Sequence, residues 1–486
     1  MTDPSSFRDP AGFIFTRDGV LYRQINEQGR AGYDRLMSSG LYAALVETGD
    51  LIADEEVDLA LAPLPGAYKV IRPERVPFVS YPYEWSFGQL KDAALLTLRL
   101  QKAAMARGLS LRDATAFNVM FVGGRPVWID TLSFEALRPG APWVAYRQFC
   151  ELFLAPLALM SRIDPRAHQL LRSFLDGIPL PMASAMLPAR TWASPGLLMH
   201  VHMHASAHRR LADPGPAKGG HDGHADHNLS AVASAKAEGP RRYREDATDS
   251  RTKPSNLNAL VALVDSLERT VSRLEWSPSG TTWGDYYQRT NYTDAAFASK
   301  RKLVSDAIAR LRPSVVWDLG ANDGTFSRLA ADAGITTIAF DVDPAAVEHN
   351  YRTVKQRGER TLLPLLMDLA NPTASLGWAN AERMSLADRG PADVALALAL
   401  VHHLAIGHNV PLPRIAAFLA TLTRALVIEF VPKEDSQVQR MLASRDDIFS
   451  AYHRDAFEAA FRGHFTIESS SEIAGSMRTM YVMRRR

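Results

Sequence analysis

Val315-Val316-Trp317-Asp318-Leu319-Gly320-Ala321-Asn322-Asp323-Gly324 is the stretch on which the reading of this chain turns. An apolar run ends in an acid, passes through a turn of small residues, and enters Thr325–Ala331, where apolar residues recur at helical spacing. A strand, a tight glycine turn and a helix start let the main chain approach a nucleotide-like ligand closely. The next apolar run, Thr336–Phe340, ends in Asp341. That acid falls roughly 20 residues on, where a nucleoside ribose takes a bidentate acceptor. A glycine-rich turn alone carries little weight; the turn paired with this acid carries much more.

Asp318–Gly324, followed by Ala339-Phe340-Asp341-Val342-Asp343, resembles motifs I and II of the class I methyltransferases that use S-adenosyl-L-methionine. The dinucleotide fingerprint has a third glycine opening the helix, where this chain has Phe326 and Ser327, so an NAD enzyme is the poorer match. The resemblance covers about the last two fifths of the chain. It implies an α/β fold with a doubly wound, seven-stranded, Rossmann-like sheet and the cofactor at the carboxyl ends of the strands. Asp318 would then meet the amino-acid end of the cofactor, Gly320 and Gly324 would give close main-chain approach, and Asp341 would hold the ribose hydroxyls. Asp368 would contact the adenine amino group and Leu369 would flank the ring. Asn322 either contacts the methionine part or serves turn chemistry alone.

Asp393–Leu400 reads as a central parallel strand buried on both faces. It runs into His402 and His403, where the family places groups beside the transferring methyl. A neutral histidine there deprotonates a hydroxyl, or else only packs the next helix. No cysteine or third histidine stands at ligand spacing, so no metal is expected. Glu429, near the end of the next strand, contacts an acceptor or a structural arginine. Tyr287, Tyr292 and Lys300, ahead of the first strand, either close the pocket or pack a lid helix.

With 486 residues and 47% apolar content, the chain has material for two or three packed domains. Lys and Arg number 55 against 53 Asp and Glu, so no global field argues for a nucleic-acid partner. One cysteine, Cys150, leaves no internal disulfide framework and fits a reducing compartment. Its apolar neighbours give a buried, inert thiol. The N-terminus lacks a basic and apolar signal pattern. Phe149–Met160 is too short to span a bilayer and carries Glu151 and Pro156, so it reads as a buried helix. The expectation is a cytoplasmic protein with no membrane span.

The N-terminal part opens with a hairpin, Phe13–Ile25, turning on Asp18-Gly19. Helical material follows over Tyr33–Thr48. Short strands are expected at Tyr68–Ile71 and Val76–Tyr81, and an amphipathic helix at Leu90–Arg107. The spacing of Asp113, Asn118 and Asp130 resembles the catalytic loop and metal-binding acid of protein-kinase-like phosphotransferases. The match is degenerate: Leu111 replaces the family histidine, Thr131-Leu132 replaces Phe-Gly, and no glycine-rich phosphate loop lies upstream. Arg23 is the nearest positional substitute for the strand lysine. The Ile129–Phe134 end also resembles bacterial proteins that fuse such a domain to a methyltransferase, including nodulation-type ones.

The expected organisation is therefore a kinase-like α+β domain at 1–204, a disordered His/Gly/Ala-rich linker at 205–254, and a methyltransferase domain at 255–486. His200, His202, His204, His208, His221, His224 and His227 read as an incidental solvated cluster rather than a zinc site. The expected reaction is O-methylation of a small-molecule or glycan acceptor. The rivals are a bifunctional kinase–methyltransferase acting on a polysaccharide or glycolipid, and a scaffold that binds the cofactor without turnover.

Overall fold

In the hairpin of β1 (Gly12–Arg17) and β2 (Val20–Asn26), Asp18 and Gly19 both take left-handed backbone, with φ of 53° and 76°. A two-residue turn of that kind matches the twist of the strands it joins. The computed structural model describes residues 2–138, 140–206, 257–278, 293–443 and 445–486. With β3 (Asp54–Val57) and β4 (Ala67–Pro73) the hairpin forms an antiparallel sheet of order β1-β2-β4-β3. The helical run after it is two helices, α1 (Arg30–Ser38) and α2 (Leu41–Thr48), because Gly40 between them is left-handed and ends the ladder. The strand expected over Val76–Tyr81 is absent, and that segment is irregular. Pro77 has no N–H to give a sheet. Phe78 instead stands edge-on to Trp317 and Phe340, with ring centroids 5.6 and 5.9 Å away.

A capping box starts α3 (Phe87–Met105): the Ser86 hydroxyl accepts the Gln89 N–H, and the Gln89 side chain accepts the Ser86 N–H. Beyond it lie β5 (Leu109–Leu111), β6 (Val119–Val122), β7 (Arg125–Trp128) and β8 (Phe134–Ala136). The apolar run at Phe149–Met160 is a buried helix, with a π-helical turn at Cys150–Leu154 and α4 (Ala155–Arg162) after it. Burial pushes the Cys150 thiol well above its ordinary value, which suits an inert role.

The histidine cluster departs from expectation. His200 and His202 are buried, not solvated. His200 bridges the Tyr146 and Ser266 hydroxyls at 2.8 and 2.9 Å. His202 bridges Ser184 and Thr191 and stacks on Trp192. Both serve as neutral, hydrogen-bonded core residues. His208, His221, His224, His227, Tyr287, Tyr292 and nearly all of the expected linker lie outside the described residues.

After α5 (Leu257–Arg273) and α6 (Asp294–Leu311) comes a second sheet. Its strands are β9 (Val315–Leu319), β10 (Thr336–Asp341), β11 (Leu362–Leu366), β12 (Ala392–Ala397), β13 (Thr423–Phe430), β14 (Phe465–Glu472) and β15 (Thr479–Arg485). They lie in the order β11-β10-β9-β12-β13-β15-β14, with β15 alone antiparallel to the rest. Helices α7 (Pro344–Arg357), α8 (Leu412–Leu422) and α9 (Arg454–Arg462) pack on it.

One continuous hydrophobic core joins α3, the strands β5–β8 and the segment Phe78–Phe87 to the second sheet, while the first sheet packs its own smaller clusters. Several buried polar contacts cross that junction. Glu84 and Arg389, both almost fully buried, form a two-pronged ion pair at 2.7 and 2.8 Å. The Thr373 hydroxyl donates to Glu84 at 2.6 Å, and the Gln89 amide donates to the Pro364 carbonyl at 3.0 Å. No helix among the described residues is long and apolar enough to cross a membrane.

Candidate active site

Strand β9 has β10 on one side and β12 on the other, so the chain reverses its direction of travel across the sheet here. Open α/β sheets part above such a point and leave a crevice at the carboxyl ends of the strands. A cavity of about 260 Å³ occupies it. Asp318, Gly320, Asn322, Asp341, Asp368, Leu369 and His403 all border this cavity.

The loop after β9 is held by hydrogen bonds to β10. The N–H groups of Gly320 and Ala321 both donate to the Phe340 carbonyl at 2.9 Å. The Asn322 N–H donates to Asp341 Oδ2 at 2.7 Å, with Asn322 itself left-handed at φ 51°. Gly320 has φ 86°, and a Cβ there would meet only Leu400, so its main chain faces open space. Gly324 differs. A Cβ at that position would come within 2.5 Å of the Asn350 amide and 2.7 Å of the Arg328 guanidinium. Its close approach is to protein, and it does not border the cavity.

Burial raises both acids. Asp318 accepts from the Ser327 hydroxyl at 2.6 Å, yet desolvation holds its carboxyl at about 7, against the pull of Lys300. Asp341 is pushed up to about 6 by burial, although two main-chain N–H groups donate to it. Asp368 accepts the Ala370 N–H at 2.8 Å.

The two histidines separate. His402 is buried and off the cavity, and its Nδ1 has no hydrogen-bond partner among the described residues. His403 borders the cavity, and burial lowers it to about 4, with neighbouring His408 adding to the shift. Both rings are thus neutral near pH 7. His403 also begins a π-helical turn, His403–Gly407, a distortion that often marks functional positions.

Lys300 borders the cavity from α6 and is buried. Its ammonium pairs with Glu429 at 2.7 Å and sits 4.7 Å above the Phe326 ring. Glu429 also meets Arg478 at 3.2 Å, and Arg478 pairs with Asp435 at 2.7 Å. Of the two roles open to Glu429 in the sequence, the structural arginine is present. Sequence reasoning missed Arg478 and also His408, which borders the cavity mouth. An acid in an apolar strand signals that a cation is needed but not which one.

The structure also brings Asp113, Asn118 and Asp130 near one another. Asp130 pairs with the Arg23 guanidinium at 2.5 Å and accepts from the Ser133 hydroxyl. Asn118 donates to the same Ser133 oxygen at 3.2 Å, and Asp113 accepts from Gln148 at 2.8 Å. Among the described residues no group of three or more His, Cys, Asp and Glu is arranged to hold a metal ion.

No family model matches the sequence. Several solved structures are similar to part of the chain at low scores. Magnesium protoporphyrin IX methyltransferase (ChlM) from Synechocystis PCC 6803, solved with bound SAH, is 18% identical over 42% of this chain and 93% of its own, with a TM-score of 0.30. WbdD, described as a bifunctional kinase-methyltransferase, is 18% identical over 44% of this chain and 45% of its own, with a TM-score of 0.29. The full length is matched by the nodulation protein NoeA of Rhizobium meliloti (strain 1021). It is 35% identical over 484 residues, 99% of this chain and 95% of the relative. At that identity and coverage, the chain belongs to the NoeA family of nodulation proteins.

Proposed function

We propose that this protein is an S-adenosyl-L-methionine-dependent methyltransferase, with residues 255–486 as the doubly wound catalytic domain and residues 1–204 as a kinase-like scaffold packed against it. The observation that carries the reading is the pair Asp318 and Asp341, which end adjacent parallel strands and border one cavity at the switch point. The sheet order, with one antiparallel strand, supports the same assignment.

The charge of the cavity favours this ligand over a dinucleotide. Asp318, Asp341 and Asp368 border it, and the one lysine there is already paired with Glu429. A pyrophosphate would face two buried acids, whereas an ammonium and a sulfonium are attracted by them. When bound, S-adenosyl-L-methionine supplies a methyl on a positively charged sulfur that leaves as a neutral thioether. The chain's own residues bind and align. Asp341 accepts the ribose hydroxyls and Asp318 accepts the ammonium. Asp368 and Leu369 flank the base. His403, neutral at pH 7, takes the proton of an acceptor hydroxyl, which makes O-methylation of a small-molecule or glycan acceptor the favoured chemistry.

Phosphotransfer by the first domain is not favoured. Arg23 already neutralises Asp130, where a kinase would place magnesium. The test is methyl transfer from isotopically labelled S-adenosyl-L-methionine to fractionated small-molecule and glycan extracts. Labelled product that is lost in His403→Gln supports the assignment. Cofactor binding with no product in any fraction would instead support a non-catalytic scaffold.

A further inference from the structure

A second cleft, of about 210 Å³, lies between α5 and residues 194–199, and it shares no bordering residue with the candidate active site. Three arginines border it: Arg162 at the end of α4, and Arg269 and Arg273 one turn apart on α5. None forms an ion pair among the described residues, although acids lie close by. Asp265 and Glu268, on the same helix, both bind Lys102 at 2.5 Å, and Asp164 binds Arg166 at 2.8 Å. All three are solvent-exposed and Asp265 offsets part of the Arg269 charge, so the cleft has a net positive rim. Like charges one turn apart on a helix repel, so an anion seated between them relieves a cost the free protein bears.

The walls add direction. The Ser194 hydroxyl borders the cleft, the Thr270 hydroxyl donates to the Ser266 carbonyl at 2.7 Å, and Leu197 and Leu274 give the cleft an apolar side. A Cβ on Gly196 would lie 2.1 Å from the Thr270 hydroxyl oxygen, so this segment sits tightly on α5 and the walls are fixed. Guanidinium forks match tetrahedral oxyanions in two-pronged fashion, and a hydroxyl such as that of Ser194 completes such a set.

We propose that this cleft binds a phosphate or sulfate monoester carried on an organic body, the ester group on the arginines and the body along Leu197 and Leu274. The proposal stands independently of the methyltransferase reading.

The test is calorimetric titration of the full chain with glucose 6-phosphate, glucose 6-sulfate and plain glucose at constant ionic strength. Arg269→Gln/Arg273→Gln is the test variant, and Arg414→Gln, an exposed arginine elsewhere, is the control. Saturable binding of an ester, none of glucose, and about tenfold or greater weakening in the double variant only is the expected result. Binding of one ester alone identifies the anion; binding of both leaves the shared tetrahedral chemistry as the specificity. An unchanged urea midpoint in the double variant shows that it is folded. No saturation by either ester up to about 10 mM, or equal binding by the double variant, overturns the proposal.

Discussion

Asp341 Oδ2 accepts the main-chain N–H of Asn322 at 2.7 Å, while its Oδ1 accepts that of Asp343 at 2.8 Å. One carboxylate at the end of β10 thus organises the loop after β9 and the entry to α7. In Asp341→Asn an amide nitrogen replaces one acceptor and faces an N–H. Amide hydrogen exchange at Asn322 and Asp343 is expected to accelerate in that variant, while the core amides of β9 keep their protection.

Cofactor affinity should depend on pH through the same acids. Asp318 is held at about 7 and Asp341 at about 6, both above the ordinary aspartate value of 3.8. Between those limits the free folded protein holds protons that the unfolded chain has released. Their contribution to stability is complete below pH 3.8 and is lost as pH rises through 6 to 7. A cationic ligand needs both acids ionised, so its affinity rises between about pH 5.5 and 7.5. Titrations across that range are expected to show the rise in the native protein and a flatter profile in Asp318→Asn.

Glu429 is the shared anion of a buried network, with Lys300 at 2.7 Å and Arg478 at 3.2 Å. Glu429→Ala leaves two buried cations with one carboxylate between them, Asp435. Removing one partner of a buried set costs about 3–5 kcal/mol. Urea denaturation should register a loss of that order, with the slope of the transition unchanged.

The segment before α3 and the second sheet share a junction that couples their stability. Phe78 fills the space beside Trp317 and Phe340, and Glu84 neutralises Arg389 inside the protein. A fragment of residues 257–486 exposes that face and strands the Arg389 charge. It is expected to aggregate, or to lose the near-ultraviolet signal of packed aromatic residues. Glu84→Ala in the full chain should destabilise it by about 3 kcal/mol or more in the same urea measurement.

What could be read from the sequence was local. The Asp18-Gly19 turn, the runs that became β9, β10, β12 and β13, and the acids closing β9 and β10 all announce themselves within a few residues. Readings that depend on distant partners went astray. Val76–Tyr81 alternates like a strand, but its Phe78 is claimed by Trp317, more than two hundred residues away. By contrast, the helical reading of Tyr33–Thr48 holds, with the local Gly40 dividing it into two helices. Nothing local separates His402 from His403. Their difference follows from the turn that starts after left-handed Ala399 and aims only the second ring into the cavity. The His200–His202 pair looked solvated because its partners, Tyr146, Ser184, Thr191 and Ser266, are scattered along the chain.

The most direct test of the central claim is a calorimetric titration of the purified full-length protein with S-adenosyl-L-methionine, beside Asp341→Ala. Saturable micromolar binding by the native protein, weakened at least about tenfold in the variant, is the expected result. Absence of binding by the native protein, or binding that Asp341→Ala leaves unchanged, would contradict it.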